Sequence, residues 1–130
     1  MAFYVDTSAL VKLVVAEPQT EALRAWFAEG ERNPVACDLV RTELLRTIGR
    51  VAPDRLVEAR TALQSITLLR AVPVIFDEAG RLDPADVRSF DAIHLAAALD
   101  LGDDLEGLVT YDKRLASAAV ANGINVISPT

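Results

Sequence analysis

The sequence predicts an α/β fold, a single domain over residues 1–130 with a central parallel sheet of about five strands and helices on both faces. Three observations predict it. Short apolar, strand-favouring runs alternate with helical patterns along the whole chain, with no repeat, linker or low-complexity tract to divide them. Apolar residues make up 52% of the chain and aromatics only 5%, so one domain's length of chain has a core of Leu, Val, Ile and Ala. Acids also stand where strands give way to helices, which in an open α/β sheet is where ligands bind.

Phe3-Tyr4-Val5 reads as the first strand, ending at Asp6, and Ser8 to about Val15 as a short helix broken by Ala16-Glu17-Pro18. A second helix starts near Pro18, a residue tolerated in a first turn, carries Leu23, Trp26 and Phe27 on one face, and ends at Gly30. Pro34-Val35-Ala36-Cys37 is a buried strand, and Asp38 takes the N-cap place of the next helix. That helix, about Leu39 to Val51, has Val40, Leu44, Ile48 and Val51 as its apolar stripe. Glu43 falls about 60° from the stripe's centre, unlike a solvated surface acid.

Pro53 opens a long amphipathic helix through Leu56, Leu63 and Ile66, Thr67-Leu68-Leu69 makes a strand, and Pro73 begins another helix. Asp77, Glu78, Asp83 and Asp86 fall on solvated faces and loops. Ser89 caps a helix whose run Asp91-Ala92-Ile93-His94-Leu95-Ala96-Ala97-Ala98-Leu99 describes burial on most sides. Gly102-Asp103-Asp104 closes it, Leu108-Val109-Thr110 is the next strand, Lys113 to Asn122 the last helix, and Asn125-Val126-Ile127 the last strand.

No basic segment precedes an apolar run at the start, and no apolar run approaches the roughly 18 residues of a membrane span. The expectation is a soluble, unexported, cytoplasmic protein. The lone Cys37 can form neither an intramolecular disulfide nor a cysteine metal cluster. A net charge of −6 weighs against a nucleic-acid partner, unless acids gathered around a divalent ion account for part of it. Arg41, Arg46, Arg50, Arg88, Lys113 and Arg114 all lie close in sequence to candidate acids.

Those acids are Asp6, Glu43, Asp91 and Asp112. Each has an ordinary structural reading. Asp6 and Asp112 can cap the helices after them, Asp91 can favour its helix dipole, and Glu43 can pair with an arginine. If the strands ending at Asp6 and Asp112 are neighbours, however, their carboxylates share one sheet edge, with Glu43 and Asp91 leaning in from helices. Carboxylates so gathered repel one another unless a cation is present, and oxygen-only ligands favour Mg²⁺ or Mn²⁺ over zinc. Phosphodiester hydrolysis is the chemistry such a site supports.

Val5-Asp6-Thr7-Ser8-Ala9-Leu10, Glu43-Leu44-Leu45-Arg46, Phe90-Asp91-Ala92-Ile93-His94-Leu95-Ala96-Ala97-Ala98 and Val109-Thr110-Tyr111-Asp112-Lys113-Arg114-Leu115 resemble, in order and spacing, the PIN-domain ribonucleases. More closely, the chain resembles the VapC-type toxins of bacterial and archaeal toxin–antitoxin pairs, over essentially its whole length. The resemblance implies a PIN-like three-layer α/β/α domain. It also implies Asp6, Glu43, Asp91 and Asp112 as the catalytic, metal-binding acids of an Mg²⁺- or Mn²⁺-dependent endoribonuclease. An RNA substrate, a cognate antitoxin laid against the early helices and a homodimer are implied in the same way.

Thr110 and Ser8 are candidates to hydrogen-bond a carboxylate or a metal-bound water; Ser8 has the plainer reading of a helix start. His94 is one turn from Asp91, but an oxygen-preferring metal makes it a hydrogen-bonded structural histidine. Arg46, Lys113 and Arg114 are candidates for RNA phosphates or for an antitoxin's acidic groups. A phospho-accepting receiver domain needs a hydroxyl and a lysine ending two different later strands, and Thr110 and Lys113 are too close together for that. A phosphatase of the haloacid dehalogenase type wants a second acid where Ser8 stands. A metal-stabilised domain that binds RNA or antitoxin without cutting fits the same residues.

Overall fold

The computed structural model describes all of Met1–Thr130. Five strands, β1 (Ala2–Val5), β2 (Asn33–Cys37), β3 (Thr67–Leu69), β4 (Leu105–Val109) and β5 (Val126–Ile127), form one parallel sheet in the order β3-β2-β1-β4-β5. Seven α-helices flank it: α1 (Thr7–Val14), α2 (Thr20–Ala28), α3 (Leu39–Val51), α4 (Leu56–Gln64), α5 (Pro73–Gly80), α6 (Ser89–Asp100) and α7 (Lys113–Ala121). The chain builds outward from β1 to β2 and β3, then returns to place β4 on the other side of β1. Right-handed crossovers therefore set α1–α4 on one face and α5–α7 on the other, the expected α/β/α layers.

One core of 27 buried residues fills both interfaces, dominated by Val, Leu, Ile and Ala. Alternation along β1 divides it. Phe3 meets Trp26 of α2 edge to face at 4.9 Å, while Tyr4 turns to the opposite face and meets His94 of α6. Trp26 thus caps the core edge, its ring covered by Phe27 and by the Arg32 guanidinium 4.0 Å from its centre.

Several boundaries differ from the sequence expectation. The second helix starts at Thr20, past Pro18, because the Thr20 hydroxyl closes the preceding turn by donating to Lys12 O (2.8 Å) and accepting from Glu17 N (2.9 Å). Asp38 is not a side-chain cap: it is already in the helical region, and its carboxylate accepts from Ala71 N at 3.3 Å, tying the end of β3 to α3. Ser89 is the first helical residue of α6 and makes no capping bond; Arg88 before it is extended. Pro53 opens a 3₁₀ turn, Pro53–Arg55, before α4, which stops at Gln64 short of Ile66. β4 begins at Leu105, earlier than its apolar run, because pairing with β1 starts at Ala2↔Leu105. Gly107 is needed there: a Cβ would lie 2.6 Å from Ile127 Cδ1 and 3.0 Å from Asn125 O, in the close approach of β5.

Candidate active site

The change of direction at β1 puts the carboxyl ends of β1 and β4 side by side, Tyr4 opposite Leu108 and Val5 opposite Val109. Asp6 follows directly and extends the ladder, its N–H donating to Val109 O at 3.1 Å. Its carboxylate is buried and held on both oxygens. Ser8 N–H donates to Oδ1 (2.6 Å), the Ser8 hydroxyl to Oδ2 (2.9 Å), and the fully buried Thr110 hydroxyl also to Oδ2. Burial pushes the Asp6 carboxyl above its ordinary range, opposed by the hydrogen bonds from Thr110 and Ser8 and by nearby His94. The capping reading of Asp6 holds: its side chain caps α1.

Glu43 is brought in from α3. Its Oε1 accepts from the Thr7 hydroxyl at 3.0 Å and meets His94 Nε2 at 2.5 Å. Behind His94 lies a buried chain: Cys37 N–H donates to the Tyr4 hydroxyl (2.9 Å), which contacts His94 Nδ1 at 2.7 Å. His94 is hydrogen-bonded through both ring nitrogens, Nδ1 to the phenol and Nε2 to the Glu43 carboxylate. His94 is thus the structural, hydrogen-bonded histidine expected, and it also orients one of the acids. Thr7 and Tyr4 were not singled out in the sequence, although Tyr4 shares Asp6's side of β1 by strand alternation.

Asp91, in the first turn of α6, is half-buried. Desolvation, then the charges of Asp112 and Asp6, push its carboxyl up; His94 opposes this and Glu43 adds to it. All the other acids thus act on Asp91 electrostatically. Asp112 is exposed and caps α7 with one oxygen, Oδ1 accepting from Arg114 N (2.9 Å) and Leu115 N (3.2 Å). Glu43, Arg88, Ser89, Phe90, Asp91 and Asp112 line an open cleft of 420 Å³.

Glu43, Asp91 and Asp112 share this cleft, yet no three His, Cys, Asp or Glu side chains are drawn together closely enough to hold a metal ion as they stand. The donor chemistry nonetheless fits a hard divalent cation: carboxylate oxygens predominate, and the mutual repulsion at Asp91 is what a cation would relieve. Of the two partners the sequence left open for Thr110 and Ser8, a carboxylate or a metal-bound water, both hydroxyls donate to a carboxylate, that of Asp6, and lie 3.3 Å apart. Lys113 and Arg114 lie on an adjoining groove with Arg88, whereas Arg46 is exposed on α3 and lines neither cavity that contains Asp91.

Residues 3–121 match the PIN domain family. Ribonuclease VapC46 of Mycobacterium tuberculosis (strain ATCC 25618 / H37Rv) is 42% identical over 130 residues, covering 99% of this chain and 98% of its own. Ribonuclease VapC47 of Mycobacterium tuberculosis (strain CDC 1551 / Oshkosh) is 39% identical over 131 residues, with 97% and 96% covered. Among solved structures, the fold is shared with Mycobacterium tuberculosis VapC20, a sarcin-ricin loop cleaving toxin, at a TM-score of 0.79 and 16% identity, covering 98% of this chain and 100% of that one. A toxin–antitoxin complex from Klebsiella pneumoniae superposes with a TM-score of 0.73 at 18% identity, covering 100% and 98%. With its fold, its sheet-edge acids and these relatives in agreement, the chain belongs to the PIN-domain family, in its VapC ribonuclease branch.

Proposed function

We propose that this protein is an Mg²⁺- or Mn²⁺-dependent endoribonuclease toxin, acting in the cytoplasm and restrained by a cognate antitoxin. The observation that carries the reading is the juxtaposition at the β1/β4 switch point of Asp6 with an open cleft lined by Glu43, Asp91 and Asp112, near enough that the charges of Asp112, Asp6 and Glu43 add to the desolvation that raises the Asp91 carboxyl. When bound among these acids, the cation would neutralise phosphate oxygens and lower the pKa of an attacking water.

The protein's own part is positioning. Ser8 and Thr110 fix the Asp6 carboxylate, and Thr7 and His94 fix Glu43, so both acids present their charge without rotamer freedom. Asp91, half-buried on the cleft it shares with Glu43 and Asp112, adds a further carboxylate to the set that would hold the cation and its attacking water. In-line attack of that water on phosphorus breaks the bond to the 3′ oxygen, which leaves and is protonated, giving a 5′-phosphate and a 3′-hydroxyl.

An antitoxin partner is supported by the toxin–antitoxin assembly of the Klebsiella pneumoniae neighbour. An apolar depression of 220 Å³ beside the early helices, lined by Leu10, Leu13 and Phe27, suits an antitoxin's apolar segment. Homodimerisation is part of the proposal too, with the half-exposed Val74 and Phe76 of α5 as apolar surface a second copy would cover. The test is incubation of antitoxin-free protein with total cellular RNA in Mg²⁺ or Mn²⁺ and in EDTA, beside an Asp6→Asn control, with the new 5′ ends mapped. Discrete metal-dependent cuts absent from the control are expected. Identical behaviour of a folded wild type and the control under every condition would leave the non-catalytic RNA- or antitoxin-binding reading in its place.

A further inference from the structure

We infer that Phe90 is a stacking platform for a base beside the scissile phosphate, and that Arg88, Lys113 and Arg114 form the track for the phosphates that follow. The inference rests on the nuclease reading and adds the residues that seat the substrate.

Phe90 lies in the first turn of α6, immediately before Asp91, with 58% of its surface exposed. Its surroundings are polar: it is the one hydrophobic side chain lining the cleft that holds Glu43, Asp91 and Asp112. Phe3 and Tyr4, by contrast, are buried, and Trp26 and Phe27 are packed against the core. A solvent-facing ring amid carboxylates suits a ligand with apolar faces and polar edges, which describes a nucleobase.

A second groove, of 630 Å³, opens from the same point and shares Arg88 and Asp91 with the cleft. It runs between the 81–88 loop and α7, where Lys113, Arg114 and Ser117 project along one wall. The loop is fastened to the far end of α7 by Asn122 Nδ2 donating to Asp83 O at 2.8 Å, so the groove has two fixed walls. Arg88, Lys113 and Arg114 are exposed, and none has a carboxylate within 4.0 Å. In a chain of net charge −6 they form a local reversal of sign beside the acids, and Asp86 is the only other acid on the groove besides Asp91.

The two cavities meet at Arg88 and Asp91. A strand crossing them would lay a base on Phe90, its phosphate over Asp91 and Asp112, and the next phosphates over the three cations. An aromatic face followed by a row of cations matches the regular alternation of base and phosphate in a single strand, in which every nucleotide offers both a ring to stack and a charge to pair.

The test is fluorescence anisotropy of a labelled single-stranded RNA in Mg²⁺, in an Asp6→Asn background that keeps the strand intact, across a salt series. Phe90→Ala and Phe90→Leu should each weaken binding roughly tenfold, and Phe90→Trp should restore it. Replacing Arg88, Lys113 and Arg114 together by Ala should flatten the plot of log K against log salt by about 2, at roughly 0.7 per lost phosphate contact. An unchanged salt slope, equal binding by Phe90→Ala, or a Phe90 effect confined to oligomeric state in light scattering would each overturn the inference. So would cation variants that bind RNA normally and lose only the antitoxin. If wild type and Asp6→Asn both bind without cutting while the Phe90 and cation effects hold, the nuclease reading fails and the track stands. If wild type cuts and every track variant matches it, the reverse follows.

Discussion

The two flanks of the cleft are built differently. On one, Asp6 and Glu43 are tied by hydrogen bonds to Ser8, Thr110, Thr7 and His94, and the chain continues through Tyr4 to the backbone of β2. On the other, Asp91 and Asp112 face open space beside three exposed cations, and Asp112 spends one oxygen on a helix cap. The tied flank has its geometry set in advance by folding. The open flank has charges still unsatisfied, which is where the proposed cation would act.

The largest effect that would break this comparison is charge removal without loss of shape. Asp112→Asn retains a capping side chain, since Asn caps as well as Asp, while removing the negative charge. Its thermal midpoint should match wild type while RNA cleavage falls by more than the 10–100-fold typical of losing a residue that merely orients a metal ligand. A cleavage loss that scaled with unfolding would show that Asp112 is a cap and no more.

His94→Ala probes the tied flank. It leaves Glu43 with only its bond from Thr7, so cleavage and Mg²⁺ affinity should fall by roughly 10–100-fold. Tyr4→Phe should act chiefly on stability, because it deprives both His94 Nδ1 and Cys37 N–H of the phenol: about 1–3 kcal/mol by denaturant unfolding. Equal stability of Tyr4→Phe and wild type would mean the buried chain holds nothing in place.

A pH titration sharpens the difference between apo and loaded states. The Asp6 and Asp91 carboxyls are raised from their ordinary value of 3.8, so the folded chain binds these protons more tightly than the unfolded chain. Their contribution to stability is fully present below the ordinary value and is lost as pH rises through the raised ones. In EDTA the thermal midpoint should fall across that window. Asp91→Asn should flatten the fall, and Mg²⁺ should restore the wild-type midpoint at the upper end. A midpoint indifferent to Mg²⁺ would argue against a cation among these acids.

The smallest effect is the cap itself. Asp112→Ala should cost about 1 kcal/mol of stability beyond Asp112→Asn, from the loss of the bonds to Arg114 N and Leu115 N.

Much of this is legible in the sequence. Strand runs, helix stripes and the strand-end places of Asp6 and Asp112 are local patterns, and period and polarity report local structure directly. The same residues carry the resemblance to the PIN-domain ribonucleases. What local pattern misjudged were starts and caps. Thr20, not Pro18, begins α2 through hydrogen bonds to the preceding turn, and Asp38 is drawn away from its helix to Ala71.

The sequence by itself determined which side chains carry charge and which end of each strand they occupy, because both follow from neighbours along the chain. Only the tertiary structure decided that β4 lies beside β1, which brings Thr110 against Asp6 across a separation of 104 residues. It alone set His94 between Tyr4 and Glu43 and opened Phe90 to the cleft beside Arg88. Strand order and side-chain pairing depend on how distant segments pack against one another, and no window along the chain contains both partners.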